Sequence, residues 1–258
     1  MLKMQRLNRL ADQLINEGYE RLATPPVFIP FSGAQEADIM LNDIESHPHS
    51  FVFACIMDRQ IKAEKAWQIP YELKRRLGFF DFATLVESSP DKLEEAMIRP
   101  TPLHRFPNEM SKNLLAAIHH IKEEFSGDAG AIWRGSPSSA TIVRRFLEFR
   151  GVGQKIATMA ANILVRGFRI EVSDRYSIDI SVDVQVTRVF SRMGFAPLHS
   201  SIDYLIFRAR ELNPEYPGIL DFPLWELGRT VCRPNKPSCG ECRYSHLCTF
   251  ANGGDSLE

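Results

Sequence analysis

Residues 231–248 read VCRPNKPSCGECRYSHLC, and this short run holds four of the chain's five cysteines at the spacing C-x6-C-x2-C-x5-C. The fifth, Cys55, stands alone in the apolar run FVFACIM. Four thiols so close together in a chain of 258 residues, long enough to fold on a core without disulfide staples, point to a metal centre before they point to disulfides. Thiolates suit iron–sulfur clusters and zinc alike, so ligand type does not choose the metal. Structural zinc commonly draws on two C-x2-C knuckles, whereas only one tight pair exists here.

Working outward, residues 142–166, IVRRFLEFRGVGQKIATMAANILVR, show a helical pattern interrupted by Gly151-Val152-Gly153 and resumed at once. Two glycines around one apolar residue permit a sharp turn and leave free amides at the start of the second helix, a site that favours anions. Taken alone, the same pattern also suits a plain helix–turn–helix corner. Helical spacing recurs at 4–17, ending at Gly18 as a cap, then at 50–67, 69–77, 81–87, 90–97, 110–125, 138–149, 155–166, 183–193, 200–212 and 219–230. Between 23 and 48 prolines predict a wandering connection with one helical turn near Ala37–Leu41. Alternation in 168–182, FRIEVSDRYSIDISV, predicts a small β-hairpin, and the polar tail 252–258 is expected to fray.

A hydrophobic fraction of 44%, a charged fraction of 24% and a net charge of −1 describe an ordinary globular chain. They argue against coating nucleic acid by bulk positive charge, though not against a local basic groove. No leader or membrane-spanning stretch is legible, so the expected place is the cytoplasm, on the nucleoid, with no membrane partner.

The cysteine spacing, following the aromatic-rich FPLWELGRTVC, resembles the [4Fe–4S] loop of endonuclease III and related adenine glycosylases. GVGQKIA likewise resembles the helix–hairpin–helix of that superfamily, with Arg150 where proline is usual. That resemblance implies a mainly α fold of two helical lobes: a six-helix barrel domain with the hairpin at 46–167, and a discontinuous iron–sulfur domain from 1–45 and 168–258. Cys232, Cys239, Cys242 and Cys248 would hold the cluster, and Arg233 and Lys236 in its loop would meet DNA phosphates. The amides of Gly151, Val152 and Gly153 would hold another phosphate.

Lys155 matches the position of the family's nucleophilic lysine, which adenine and thymine-mismatch branches lack. Asp183 in SVDVQVTRVF, which also reads as a helix N-cap, matches the catalytic aspartate. Gln60 matches the glutamine that fills the gap left by an extruded base, although Asp58 and Arg59 beside it replace small residues. About ten extra residues fall between Lys155 and Asp183.

The implied activity is that of a monomeric base-excision glycosylase with AP lyase activity on double-stranded DNA carrying a damaged base or abasic site. Lys155 would form a Schiff base and β-elimination would follow. Two alternatives stand beside it: a monofunctional glycosylase using water activated by Asp183, and a non-catalytic DNA-structure binder that keeps hairpin and cluster.

Overall fold

The computed structural model describes residues 2–253. These form twelve α-helices, with short 3-10 turns and one π-turn, and no strand among the described residues. By contacts the chain divides into two units, one from 1–25, 138–143 and 161–258 and the other from 26–137 and 144–160.

The second unit begins with α2 (Gln35–Asn42), after α1 (Leu2–Ala23) of the first. It continues with α3 (Pro48–Met57), α4 (Ala63–Leu77), α5 (Phe82–Glu87), α6 (Pro90–Ile98) and α7 (Pro107–Glu124). All ten residues of α3 are buried, which makes it the central helix of this unit. Phe51 on α3 meets Trp133 and Phe146 edge-on, with ring centroids 6.0 and 6.4 Å apart. Phe31 stacks on Trp67 at 4.7 Å from the side of the preceding connection.

The helical expectation for 50–67 and 69–77 differs from this arrangement. The break falls at 58–62, and α4 runs through Pro70. A helix buried on every side has no polar face, so periodicity gave no sign of where α3 stops.

Two helices cross the contact boundary along the chain: α8 (Ser139–Leu147) and α9 (Gln154–Asn162), the latter extended by a π-turn at Ile163–Gly167. The rest of the first unit is α10 (Val184–Met193), α11 (Ile202–Leu212) and α12 (Asp221–Thr230). Its core includes Leu10, Leu14, Val189, Phe190, Leu205, Leu220 and Leu224.

Two expectations fail in this unit. Helix α1 does not end at Gly18 but continues to Ala23. A Cβ at Gly18 would stand 2.5 Å from the Ile219 carbonyl oxygen, so this glycine serves a close backbone approach inside the helix.

The β-hairpin expected at 168–182 is absent too. Its backbone groups are met by side chains and by another loop: Ser177 N donates to Ser139 Oγ at 3.1 Å, Asn162 Nδ2 to the Asp179 carbonyl at 3.1 Å, and Gly218 N to the Ile178 carbonyl at 2.7 Å. Asp179, almost fully buried, takes both arms of Arg210 at 2.7 and 2.8 Å. The alternation of Ile178 and Ile180 with polar residues therefore reflects an irregular segment pinned over a core. The tail expected to fray lies outside the described residues from 254 onward, while 250–252 form a 3-10 turn.

Candidate functional site

The turn between α8 and α9 is built by its glycines. Gly151 has φ of 85°, a left-handed conformation that side chains resist. Val152 N closes the turn on the Phe149 carbonyl at 3.0 Å, and the Gly153 carbonyl accepts from Ile156 and Ala157 N at 3.0 Å to start α9. Gly153 and Gln154 are exposed there. The opening amides of the new helix, which have no intrahelical acceptor, thus lie at an exposed corner with the positive end of its dipole.

Lys155 lies in the first turn of α9. Its Nζ donates to Asp58 Oδ2 at 2.8 Å, and Met159 Sδ lies 3.8 Å away. The lysine side chain is 36% exposed and the aspartate 9%, so the carboxylate is set into the wall with the amine at its mouth. Beneath them the buried Cys55 thiol is pushed well up, first by desolvation and then by the Asp58 charge, with Lys155 opposing.

Asp58 opens a tight loop after α3. Arg59 N donates to the Met57 carbonyl at 2.7 Å, and exposed Gln60 has φ of 54°, a conformation rare outside glycine. His104, almost fully buried, fixes this loop: Nε2–H donates to the Arg59 carbonyl at 3.0 Å while Nδ1 accepts from Phe106 N at 3.0 Å. Burial lowers the His104 pKa, which favours this neutral tautomer.

Asp183 belongs to the first unit and caps α10. Its Oδ1 accepts from Gln185 and Val186 N, each at 2.8 Å. The cap occupies one carboxylate oxygen and leaves Oδ2 without a hydrogen bond among the described residues.

The cysteines lie in the same unit. Cys232, Cys239, Cys242 and Cys248 line one cavity of about 380 Å³, counting the solvent at its mouth, together with Val189, Met193 and Leu227. Among the described residues no three of His, Cys, Asp or Glu converge on a single ion position. Burial raises the Cys242 and Cys248 thiols, and the neighbouring cysteines add to it.

Two arginines of α10 hold the loop. Arg188 Nε donates to the Cys232 carbonyl at 2.9 Å, and Arg192 donates to the carbonyls of Arg233 and Pro234 at 2.8 and 2.7 Å. Arg192 Nη1 also lies 3.5 Å from Cys232 Sγ. Arg233 and Lys236 are exposed, and Arg233 Nε folds back to the Thr230 carbonyl at 3.1 Å.

The second unit therefore gathers Lys155, the Gly151–Gly153 turn and the Gln60 loop, and the first unit gathers Asp183, the cysteines, Arg233 and Lys236. Sequence reading missed Asp58 as the partner of Lys155, His104 as the clamp of the loop, and Arg188 and Arg192 as its counterparts at the cysteines. Asp58 and Arg59 did stand out as replacements of small residues, which was the available signal.

No protein-family model matches the chain. It is 26% identical over 212 residues to endonuclease III of Synechocystis sp., covering 79% of this chain and 82% of that protein. It is 21% identical over 212 residues to endonuclease III of Thermotoga maritima, covering 81% and 86%. In fold it is similar to a trapped endonuclease III–DNA covalent intermediate, with TM-score 0.58 and 17% identity over 84% of this chain and 93% of that one. It is also similar to a thermostable thymine-DNA glycosylase, with TM-score 0.64 and 15% identity over 95% and 98%.

Proposed function

We propose that this chain, endonuclease III-like in sequence and in fold, is a DNA glycosylase of base excision repair with an AP lyase step on Lys155. The observation that carries the lyase step is the placement of Lys155: a half-exposed amine in the first turn after the GVG hairpin, held in direction by Asp58 at 2.8 Å.

In this reading a damaged base is extruded from the duplex, which is easiest where pairing or stacking is already weak. The amides of Gly151 and Gly153 hold a backbone phosphate while the Val152 N–H, expected to join them, stays on the Phe149 carbonyl; Gln60 fills the vacated position, and Arg233 and Lys236 meet further phosphates. The Lys155 amine, having lost its proton, bonds to the sugar's anomeric carbon as the glycosidic C–N bond breaks and the base leaves with a proton. The ring opens to a Schiff base, a proton leaves the adjacent carbon, and the C–O bond to the 3′ phosphate breaks. Asp183 Oδ2 takes up a proton or offsets positive charge on the sugar. Functionally, 46–167 would form the hairpin-bearing domain, with the remainder forming the other.

The cysteine cavity fits a [4Fe–4S] group. Four thiols line one space together with Val189, Met193, Leu227 and the Arg192 guanidinium, a soft donor set of the number a [4Fe–4S] group takes. When bound, the cluster would cross-link the loop that carries Arg233 and Lys236; it takes no part in the reaction at the sugar.

Borohydride trapping tests the lyase step, on duplexes carrying an abasic site or one of several damaged bases. Wild type should form a covalent adduct that Lys155→Ala abolishes, and equal base release and strand scission by the variant would refute it. The Lys155–Asp58 ion pair favours one other reading, a monofunctional glycosylase, because an amine engaged by a carboxylate at 2.8 Å would have to leave that partner before it could reach the sugar. Base release without scission or trapping, lost in Asp183→Asn by about 10²–10⁴-fold, would be its signature.

A further inference from the structure

Arg59 stands between two features that the DNA reading uses separately. Its backbone belongs to the loop that presents Gln60, where its carbonyl is gripped by His104. Its guanidinium reaches the hairpin: a Cβ built on Gly151 would lie 2.7 Å from Arg59 Nη1 and 2.6 Å from Asn113 Nδ2. The glycine is required for its left-handed backbone, and its bare Cα leaves the room that these two side-chain ends take.

The charge in this corner is unbalanced. Asp58, next in sequence, is committed to Lys155, and Glu109 pairs with Arg150 at 3.1 Å. Arg59 itself makes no ion pair or side-chain hydrogen bond among the described residues. Asn113 is fully buried, and its Oδ1 has no partner. A guanidinium held over a turn with exposed residues at the start of a helix, with no carboxylate paired to it among the described residues, offers a fork of N–H donors suited to phosphate.

We propose that Arg59 binds a DNA backbone phosphate at the hairpin, so that the Gln60 loop and the Gly151–Gly153 turn grip the same stretch of strand. This rests on the DNA-binding reading above. The alternative is a packing strut: an arginine that only props the loop against the turn.

Salt dependence separates the two, because each phosphate contact adds about 0.9 to the slope of log K against log salt, whereas a strut adds nothing. The full chain would be titrated with an undamaged duplex and with one carrying a reduced abasic analogue, across a range of salt concentrations. Arg59→Met should weaken binding to both duplexes alike and reduce the slope by about 0.9. Arg59→Lys, which keeps the charge, should restore the slope while recovering affinity only in part.

Thermal midpoints of both variants near wild type would show that the fold is intact. If Arg59→Met unfolds, the slope of Arg59→Lys against that of Arg59→Gln decides the question in its place. An unchanged slope in the neutral variant, with wild type still binding, overturns this inference alone. A wild-type chain that binds neither duplex at low salt overturns the DNA-binding reading and this inference with it.

Discussion

His49 shows what single residues contribute apart from chemistry. It is almost fully buried among Phe53, Phe80 and Phe82, and its Nε2 lies 2.7 Å from the Phe80 carbonyl. Desolvation lowers its pKa to about 4, with the Phe80 carbonyl pulling the other way. The folded value lies below the usual 6.5, so the unfolded chain binds the extra proton between those limits. Stability is therefore full above pH 6.5 and falls as pH drops towards 4, by up to about 3 kcal/mol at roughly 1.4 kcal/mol per pH unit. His104 should add a loss of the same sign, since its pKa is lowered as well. Urea midpoints from pH 7.5 to 4.5 should show this decline in wild type and a shallower one in His49→Gln, which keeps a donor for the carbonyl. At this scale the sequence made Lys155 and the hairpin glycines legible, because they sit in one contiguous motif. Asp58 was not legible as the partner of Lys155, because the contact joins residues 97 apart and no local pattern encodes it.

At the scale of elements, helices that carry one polar face were readable to within a few residues. Asp183, Ser201 and Ser89 cap α10, α11 and α6 through side-chain acceptance, as their residue types announce. Two of the misreadings share a cause: tertiary contact overrode the local signal. Gly18 looks like a stop until the Ile219 backbone is found beside it, and residues 168–182 alternate like a strand while their backbone groups bond elsewhere. Gly18 carries a direct prediction. Its nearest neighbour is a backbone carbonyl, which cannot rotate away as a side chain would. Gly18→Ala would gain helix propensity of about 1 kcal/mol on an isolated helix, but overpacking of about 1–3 kcal/mol should exceed it. A lowered urea midpoint is expected, with reduced packing of α1 visible as faster amide exchange in α1. A midpoint at or above wild type would mean that α1 shifts freely against the Pro217–Leu220 turn.

For the molecule as a whole, two helical units of comparable size carry different dependences on local order. The second is closed by aromatic packing around a helix with no exposed residue. The first includes a segment, 232–252, whose regular structure is limited to two 3-10 turns. That segment is tied down by Arg188 and Arg192, by Thr249 Oγ1 on the Met193 carbonyl at 3.0 Å, and by Tyr244 and Arg243 on Glu17. Such hydrogen bonds contribute about 1 kcal/mol each, modest against the entropy of ordering some twenty residues at about 1–2 kcal/mol apiece. A group bound by all four cysteines would supply the missing constraint. The expected result is a protein with equal amounts of iron and acid-labile sulfide; zinc in their place would sink the assignment. Removal of the iron should leave the second unit folded and open the segment to trypsin. Arg233 and Lys236 each precede proline and resist cleavage, so the Arg243–Tyr244 bond is the reporter. Tyr244 is buried in the ordered loop, and in the loaded protein that bond should survive. Cleavage there should accelerate at least tenfold in the stripped protein while fragments from 26–137 stay intact. Equal rates in both would mean that the arginine and glutamate contacts alone fix the loop and that the cluster adds no order to it.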